Sequence, residues 1–240
     1  MTDASDAQVL ADIEQWLQGN STDLSARKIG AGYQATVHLI HRPGGAVIVK
    51  EVRTAGPLAW LRRASLRREY KAYTMLAGVP GVPHCFGMLR DRYLIIDYVA
   101  GPSLREAENM LGDSDGFFAQ LLELIQQMHA RGVAHGDLKR KDNILVGPGE
   151  QPFIVDFGTA YFQREAQSSL RGWLFKFMRQ TDYNAWIKHK YRRDYGRLTD
   201  TDRALYRPLP LEVSVRWLRE TWRHLTFRRL RKRLRARKQG

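Results

Sequence analysis

The stretch that decides the fold is residues 134–158, AHGDLKRKDNILVGPGEQPFIVDFG. Two apolar segments in it, Ile144–Val146 and Phe153–Val155, flank a Gly-Pro-Gly turn and are predicted to be short strands. A loop with two carboxylates, Asp137 and Asp142, precedes the first strand, and an Asp-Phe-Gly turn follows the second. Carboxylates in this order and context are typical of sites that carry out phosphoryl transfer.

Four side chains of this stretch have predicted roles in that chemistry. Asp137 is expected to accept the proton of an acceptor hydroxyl, and Lys139 to steady the transferred phosphoryl group. Asn143 and Asp156 are expected to hold Mg²⁺. Read alone, Asp156 is equally explained as an ordinary loop carboxylate, and His135 as a hydrogen-bonded core histidine. The ordered set of motifs favours the phosphoryl-transfer site.

Three earlier segments carry residues that are typical of a nucleotide-binding site. Gly30 and Gly32 lie in a segment that lets the backbone approach phosphates, and Val37 is placed to cover a purine ring. A simple hairpin turn explains these glycines as well, since alanine replaces the third glycine of the usual pattern. Lys50 ends an apolar strand, and Glu69 follows on an arginine-rich helix. An ion pair between Lys50 and Glu69 would hold the lysine against the α- and β-phosphates of a nucleotide.

The periodicity of apolar residues predicts an α+β architecture with two lobes. The strand-rich half is predicted to contain strands at Leu24–Ile29, Thr36–His41, Ala46–Val52 and Tyr93–Tyr98. Helices are predicted at Ala7–Gln18 and Leu58–Leu76, with a loop at residues 78–83. A long amphipathic helix follows around Phe118–Met128, with Ser114 or Asp115 as its cap, and helical segments continue to the end.

From Leu24 to Gly158 the sequence resembles the protein-kinase-like superfamily. The resemblance implies a small β-rich N-lobe over a helical C-lobe, with ATP in the cleft between them. It places a gatekeeper at Ile96 and a hinge whose backbone groups at Asp97 and Val99 meet adenine. The expected organisation is an N-terminal helix (1–20), an N-lobe (21–97), a C-lobe (98–212) and a basic tail (213–240).

Three departures narrow the resemblance to compact branches of that superfamily. Gly136 stands where regulated protein kinases have the arginine that grips a phosphorylated activation loop. No A-P-E element or full activation segment is legible after Gly158. Asn143 lies six residues after Asp137 rather than five, which leaves Asp142 as the alternative metal ligand.

Compact branches of this kind include aminoglycoside and choline phosphotransferases, RIO-type atypical kinases and bacterial lipopolysaccharide-core sugar kinases. The His-Gly-Asp motif, the short C-lobe and the basic ends resemble the last group most. Members of that group phosphorylate sugars of a membrane-anchored glycolipid.

The composition is that of a protein with a substantial core. Hydrophobic residues make up 43% of the 240 residues and charged residues 27%. The single cysteine, Cys85, excludes an internal disulfide and a multi-cysteine metal site. The acidic first residues do not have the order of a signal peptide, and no apolar run has the length of a membrane span. These features lead us to expect a reducing, cytoplasmic environment.

The net charge of +14 is concentrated near the end of the chain. Residues 213–240 hold eleven lysines and arginines against one acid, Glu220, and so contribute +10. Apolar residues at helical spacing predict a basic amphipathic helix, with Trp217 and Trp222 suited to a membrane interface. RNA binding and packing of the apolar stripe on the C-lobe are the open alternatives. Arg62, Arg63, Arg67 and Arg68 beside Trp60 and Leu61 would extend the same anion-binding surface.

The sequence therefore predicts an ATP- and Mg²⁺-dependent kinase that phosphorylates a hydroxyl on a membrane-associated glycolipid. Its expected location is peripheral, on the cytoplasmic face of the inner membrane. The first alternative is an atypical, RIO-like serine/threonine protein kinase. The second is a non-catalytic kinase-like binding module, against which the intact Lys50, Asp137 and Asp156 argue.

Overall fold

The computed structural model describes residues 4–19, 25–31, 35–53, 56, 58–163 and 170–208. The chain divides into two units, Met1–Leu198 and Thr199–Gly240. The first unit contains a five-stranded antiparallel sheet of order β1-β2-β3-β5-β4. Its strands are β1 (Ser25–Ala31), β2 (Ala35–Arg42), β3 (Gly45–Val52), β4 (Cys85–Leu89) and β5 (Tyr93–Asp97).

Helix α1 (Ala4–Leu17) covers one face of this sheet. Its buried residues Val9 and Ile13 pack against Val47, Val49 and Ile95, because alternate residues of a strand point to the same face. Ion pairs at the margins join Asp12 to Arg42, Asp6 to His84 and Glu14 to Arg90.

Helix α2 (Ala59–Met75) places its Glu69 side chain against Lys50 of β3. The cleft-facing side of the sheet is therefore the one opposite α1, since Lys50 alternates with Val47 and Val49 along the strand. Leu66, Ala72 and Tyr73 of α2 are also buried.

The rest of the first unit is mainly helical. It contains α3 (Leu104–Ala107), α4 (Ser114–Ala130) and α5 (Leu170–Lys190). Two small antiparallel pairs lie with them: β6 (Val133–Ala134) with β9 (Tyr161–Phe162), and β7 (Ile144–Val146) with β8 (Pro152–Ile154). The loops after β6 and β8 carry the predicted catalytic and metal-binding residues Asp137, Lys139, Asn143 and Asp156. The predicted α+β fold with two lobes is confirmed.

Three local predictions were wrong, and strands β4, β6 and β9 were not predicted. The cap of α4 is Asp113 rather than Ser114 or Asp115, because its carboxylate accepts from Gly116 N at 2.9 Å. Helix α1 begins at Ala4, and the second short strand is Pro152–Ile154. Strand β4 was not predicted because Gly87 interrupts its apolar pattern. Leu10 of α1 packs there, and a Cβ on Gly87 would lie 3.2 Å from its Cδ1.

In the second unit the structure describes α6 (Asp200–Leu205), whose N-cap Thr199 accepts from Asp202 N at 3.3 Å. The predicted amphipathic helix at 213–240 lies outside the described residues, as does Gly32. None of the described helices combines the length and the apolar character that a membrane crossing needs.

Candidate active site

Lys50 is the centre of an ion triad that joins the two lobes. Its Nζ lies 2.6 Å from Glu69 Oε2 on α2 and 2.8 Å from Asp156 Oδ1 after β8. The Glu69 side chain is 3% exposed, whereas that of Asp156 is 45% exposed. The buried glutamate thus anchors the lysine, and the exposed aspartate faces the cleft.

The strand register brings Val37 to the same face of the sheet as Lys50. Val37 of β2 lies directly opposite Lys50, and Gly30 of β1 lies opposite Val37. Residues directly opposite one another point to the same face. The valine predicted to cover a purine therefore flanks the lysine predicted to contact phosphates.

Two members of the triad, Lys50 and Asp156, have pKa values shifted in favour of their charged forms. Burial opposes the charge of Lys50, but the carboxylates of Glu69 and Asp156 outweigh burial and raise the pKa of Lys50. Partial burial acts against ionisation of Asp156, but the Lys50 ammonium outweighs it and lowers the pKa of Asp156. Burial raises the pKa of Glu69, against the opposing effect of Lys50. The site thus presents a fixed cation beside a fixed anion.

Asp156 has an uncommon backbone conformation, with φ 67° and ψ 64°. Aspartate tolerates the left-handed region better than most residues, and such geometry concentrates at functional sites. The next side chain, Phe157, is buried and packs edge-on against Tyr73, at 5.0 Å between ring centroids. Packing of Phe157 therefore holds the turn that carries Asp156.

Helix α2 also contacts this turn directly. Ser65 Oγ donates to the carbonyl oxygen of Gly158 at 3.1 Å, and Arg68 Nη1 lies 3.4 Å from the same oxygen. The helix that carries Glu69 is thereby tied to the turn that carries Asp156.

His135 organises the loop between β6 and β7. The N–H of Asp137 donates to His135 Nδ1 at 3.2 Å, and His135 Nε2 lies 3.0 Å from the carbonyl oxygen of Val155. Because a carbonyl only accepts, the ring proton belongs on Nε2. The histidine thus links the Asp137 loop to the strand end before Asp156.

Asp137 carries a carboxylate oxygen suited to accept a proton. Its Oδ1 is buried and accepts no hydrogen bond from the described residues. Lys139 Nζ lies 3.8 Å from this oxygen, on a side chain that is 72% exposed. Asn143 Nδ2 donates to the backbone oxygen of Asp137 at 3.1 Å. The geometry suits a general base at Asp137 with a mobile cation beside it.

The donor set fits a magnesium ion, which prefers oxygen ligands. Asn143 uses its amide nitrogen on the loop, which leaves its amide oxygen as a ligand, and Asp156 supplies an ionised carboxylate. Asp142 is engaged elsewhere, since its two oxygens accept from Arg105 at 2.6 and 2.8 Å. This arrangement favours Asn143 over Asp142, and the metal assignment stays a prediction.

Helix α5 holds the loop between β6 and β7 (residues 135–143, the candidate catalytic loop, called the catalytic loop below), through residues that sequence reasoning missed. Asp182 accepts from the N–H groups of His135 and Gly136 at 2.8 and 2.9 Å, and its side chain is fully buried. His129 Nε2 of α4 lies 3.1 Å from the same carboxylate. Two helical turns after Asp182 on α5, His189 Nε2 donates to the carbonyl oxygen of Leu138 at 2.8 Å.

A sequence signal for these two residues did exist. Asp182 and His189 share a helix face with the buried Phe175 and Trp186, by their 3.6-residue spacing. Polar residues on an otherwise apolar stripe must find buried partners. The pattern indicates that partners exist, but not which loop supplies them.

Gly136 takes the place of the usual arginine in a conformation that disfavours side chains. Its φ is +77°, and a Cβ there would lie 3.3 Å from the Thr159 oxygen and 3.4 Å from Met178 Sδ.

The hinge predicted from the resemblance follows β5. Asp97 and Tyr98 are exposed and Val99 is half-buried, with Asp97 N donating to the His84 oxygen at 2.8 Å.

The sequence profile of the protein kinase domain family matches residues 24–189. The chain belongs to this family. Matched curated relatives of the kinase domain include casein kinase 1-like protein HD16 from Oryza sativa, 30% identical over 112 residues. Casein kinase I homolog 2 from Saccharomyces cerevisiae is 30% identical over 116 residues, and serine/threonine-protein kinase AfsK from Streptomyces coelicolor over 141 residues.

These matches cover only part of each protein. They span 42%, 43% and 55% of this chain, and 16%, 21% and 17% of the three relatives. The kinase domain here therefore corresponds to a fraction of each relative's length.

Proposed function

We propose that the protein is an ATP- and Mg²⁺-dependent phosphotransferase. The observation that carries this proposal is the Lys50–Glu69–Asp156 triad facing the Asp137 loop, within a chain of the protein kinase domain family. The arrangement combines a fixed cation for phosphates, oxygen ligands for a metal and a base for the acceptor.

The residues divide the reaction between them. Lys50, oriented by Glu69, binds the α- and β-phosphates, while Gly30, Gly32 and Val37 enclose the nucleotide and the backbone of Asp97 and Val99 meets adenine. Asn143 and Asp156 would hold magnesium, which neutralises charge on the phosphates when bound. Asp137 accepts the proton from the acceptor hydroxyl, and Lys139 neutralises charge on the transferred group.

We infer that the acceptor hydroxyl lies on a sugar of a membrane-associated glycolipid of the lipopolysaccharide-core type. Residues 163–169 alone connect β9 to α5, which holds the catalytic loop. A protein kinase uses a longer segment there, ending in an A-P-E element, for regulation by phosphorylation. The short connection and Gly136 together support a kinase that is not regulated by phosphorylation of this segment, as in the compact branches that phosphorylate sugars.

A serine/threonine protein kinase of the RIO-like type is the second candidate. The names of the relatives favour it, since they are casein kinases and a serine/threonine-protein kinase. A non-catalytic binding module is the third, and the complete set of Lys50, Asp137 and Asp156 argues against it.

The test is a transfer assay with γ-labelled ATP. Lipopolysaccharide, casein as a generic protein acceptor and RNA–protein particles are offered in parallel, with Asp137→Asn as the matched inactive variant. Label on the sugar moiety supports the glycolipid acceptor, and label only on protein supports the second candidate. Loss of a catalytic base costs about a hundredfold to ten-thousandfold, while nucleotide binding by Asp137→Asn should persist. Nucleotide binding without transfer to any acceptor would favour the binding module.

Membrane association through residues 213–240 is part of the same proposal. The full chain is expected to sediment with vesicles containing anionic lipid, and a chain ending at residue 212 is expected to remain in the supernatant. Equal sedimentation of the two chains contradicts this role for the tail. Sedimentation with RNA–protein particles instead would support the alternative partner.

A further inference from the structure

Exposed apolar side chains cluster at the start of helix α2. Leu58, Trp60 and Leu61 are 39%, 69% and 50% exposed, although they lie within four residues of one another in the chain. Seven large apolar residues are exposed in the part of the chain that the structure describes, and three of them belong to this one turn. A single exposed apolar residue is ordinary, whereas a cluster of them marks a contact surface.

Exposed arginines continue this cluster along the helix. Arg63 and Arg67 follow Trp60 after three and seven residues, a spacing that keeps all three on one face of a helix. Arg68 is next in the sequence and is also exposed. We refer to these six residues as the α2 surface: Leu58, Trp60, Leu61, Arg63, Arg67 and Arg68.

The α2 surface keeps an excess of positive charge after its own contacts are counted. Arg67 forms a two-pronged ion pair with Asp91. Arg68 approaches the carbonyl oxygen of Gly158, which carries no formal charge. Arg63, whose charge also acts on Asp91, forms no hydrogen bond or ion pair with another residue of the described ranges. Three guanidinium groups thus share one carboxylate.

This charge decides what kind of partner can cover the α2 surface. Residues 213–240 carry +10, and a second copy of the chain would present the same arginines, so both are repelled. An anionic lipid bilayer supplies the complementary charge. Tryptophan rings and arginine stems enter the apolar part of a bilayer interface, while the guanidinium groups stay in the headgroup region.

The apolar part of the α2 surface favours a bilayer over two other anionic partners. Single-stranded nucleic acids stack their bases on aromatic rings, which would leave the aliphatic side chains of Leu58 and Leu61 without a role. A stable interface with an acidic protein takes about 20–30 residues a side, many more than this turn offers. A bilayer needs only a few apolar side chains among basic ones.

The α2 surface lies beside the candidate active site. Ser65 and Arg68 both contact the Gly158 oxygen, in the turn that carries Asp156. Ser65 follows Trp60 by five residues, about 7.5 Å along the helix axis. A bilayer against this surface would therefore bring a lipid-anchored acceptor to the side of the cleft that carries Asp156.

We propose that the α2 surface docks on an anionic lipid bilayer and turns the cleft towards it. The proposal rests on the membrane-associated acceptor of the proposed function and adds a second contact to the one expected from residues 213–240. Attachment through a single terminal segment leaves a domain free to rotate. The α2 surface, which belongs to the folded domain, fixes its orientation.

Amide hydrogen exchange of the full chain tests the docking directly. Vesicles of phosphatidylethanolamine with phosphatidylglycerol are compared with vesicles of phosphatidylcholine, without glycolipid and without ATP. We expect exchange of residues 59–64 to slow at least fivefold with the anionic vesicles alone, while exchange of α4 stays the same. Slowing confined to residues 213–240, or equal slowing with both kinds of vesicle, overturns the proposal.

The same measurement covers the other occupants. Slowing of residues 59–64 at high protein concentration without vesicles would assign the surface to a second copy. Stronger slowing by RNA than by anionic vesicles would assign it to a nucleic acid. Either result overturns the bilayer as the partner.

Substitutions on the α2 surface provide a second test. The variants are Trp60→Ser combined with Leu61→Ser, and Arg63→Glu. Their matched controls are Met110→Ser, an exposed apolar residue after α3, and Lys28→Glu on β1, at the sheet edge opposite β4. The dissociation constant for anionic vesicles should rise at least threefold in the variants and stay unchanged in the controls. Equal affinities in all four contradict the proposal, and urea unfolding verifies that each variant is folded.

Transfer assays separate this proposal from the proposed function. With glycolipid in vesicles, the Trp60→Ser, Leu61→Ser variant should transfer label at least threefold more slowly than the parent, and with the soluble deacylated oligosaccharide at the same rate. Slowed exchange of residues 59–64 without transfer to either acceptor leaves the docking in place, and the proposed function fails. Equal transfer to the vesicle glycolipid by parent and variant leaves the function in place and overturns the docking.

Discussion

The two halves of the site are held in place by different forces. On the N-lobe side, Lys50 is positioned by ion pairs between side chains, of which that with Asp156 is partly exposed to the cleft. On the C-lobe side, Asp137 is positioned through its backbone, by buried side chains of α5 that never face the cleft. The ion pair between Lys50 and Asp156 is thus partly open to solvent, whereas the contacts that hold Asp137 are part of the core.

This difference means that substitutions in the two halves should fail in different ways. Loss of an α5 contact should lower stability first, because buried N–H groups lose their acceptor. Loss of the lysine should lower phosphoryl transfer first, because the ion triad is proposed to contact the reactants.

The largest effect is expected for Asp182→Ala. This substitution leaves the N–H groups of His135 and Gly136 and the ring of His129 without their shared acceptor. Unsatisfied buried groups cost about 1–3 kcal/mol each, so the free energy of unfolding should fall by at least about 3 kcal/mol. Urea unfolding measures it, with Asp142→Ala as the control.

The control breaks an exposed ion pair with Arg105 and should cost less than about 1 kcal/mol. Equal losses in Asp182→Ala and Asp142→Ala would mean that the catalytic loop does not depend on α5.

Lys50→Met should affect activity more than stability. Charge-assisted hydrogen bonds are worth about 1.5–3 kcal/mol, and we expect kcat/KM for ATP to fall about a hundredfold. Its free energy of unfolding should change less than in Asp182→Ala. Steady-state kinetics against Lys28→Met, an exposed lysine of β1, isolates the effect. Wild-type kcat/KM in Lys50→Met would remove Lys50 from the site.

His189 should make the stability of the C-lobe half dependent on pH. Burial, with the nearby cations, lowers the pKa of His189 from 6.5 to about 4. Below pH 6.5 the unfolded chain therefore binds a proton that the folded chain refuses, so stability falls as the pH drops towards 4. The loss amounts to about 2 kcal/mol at pH 5.

His189→Gln should remove most of that dependence, since its amide can still donate to Leu138. Urea unfolding at pH 7 and pH 5 compares it with the parent and with His41→Gln, which alters an exposed histidine. The same fall in stability for His189→Gln and the parent would assign the pH dependence to other groups.

The smallest effect is expected for Ser65→Ala, where the two halves of the site meet. The variant loses one neutral hydrogen bond to the Gly158 oxygen, while Arg68 remains near the same oxygen. The free energy of unfolding should fall by about 1 kcal/mol, with a few-fold decrease in kcat. Thr74→Ala on the same helix is the control, because its hydroxyl donates to the Tyr70 oxygen of its own helix and not to the Gly158 turn. A loss larger than that of Lys50→Met would make this contact, and not the ion triad, the main link between lobes.

The side chains proposed to face the reactants could be selected from the sequence alone. Lys50, Asp137 and Asp156 occur at strand ends and in loops, where local spacing and residue type suffice to mark them. The α+β architecture followed from the change between two-residue and helical periodicity. Strand β4 was missed because Gly87 serves the approach of α1, a contact between distant segments.

Only the tertiary structure decided which groups hold the site together. Asp182 lies 47 residues from His135, and its role depends on α5 passing beneath the loop, which no local pattern encodes. The same holds for His189, whose ring meets the Leu138 carbonyl oxygen only when α5 packs against the loop. Chemistry-bearing residues are marked by local sequence because reactivity depends on residue type. Their support depends on long-range packing, and packing is a property of the folded chain.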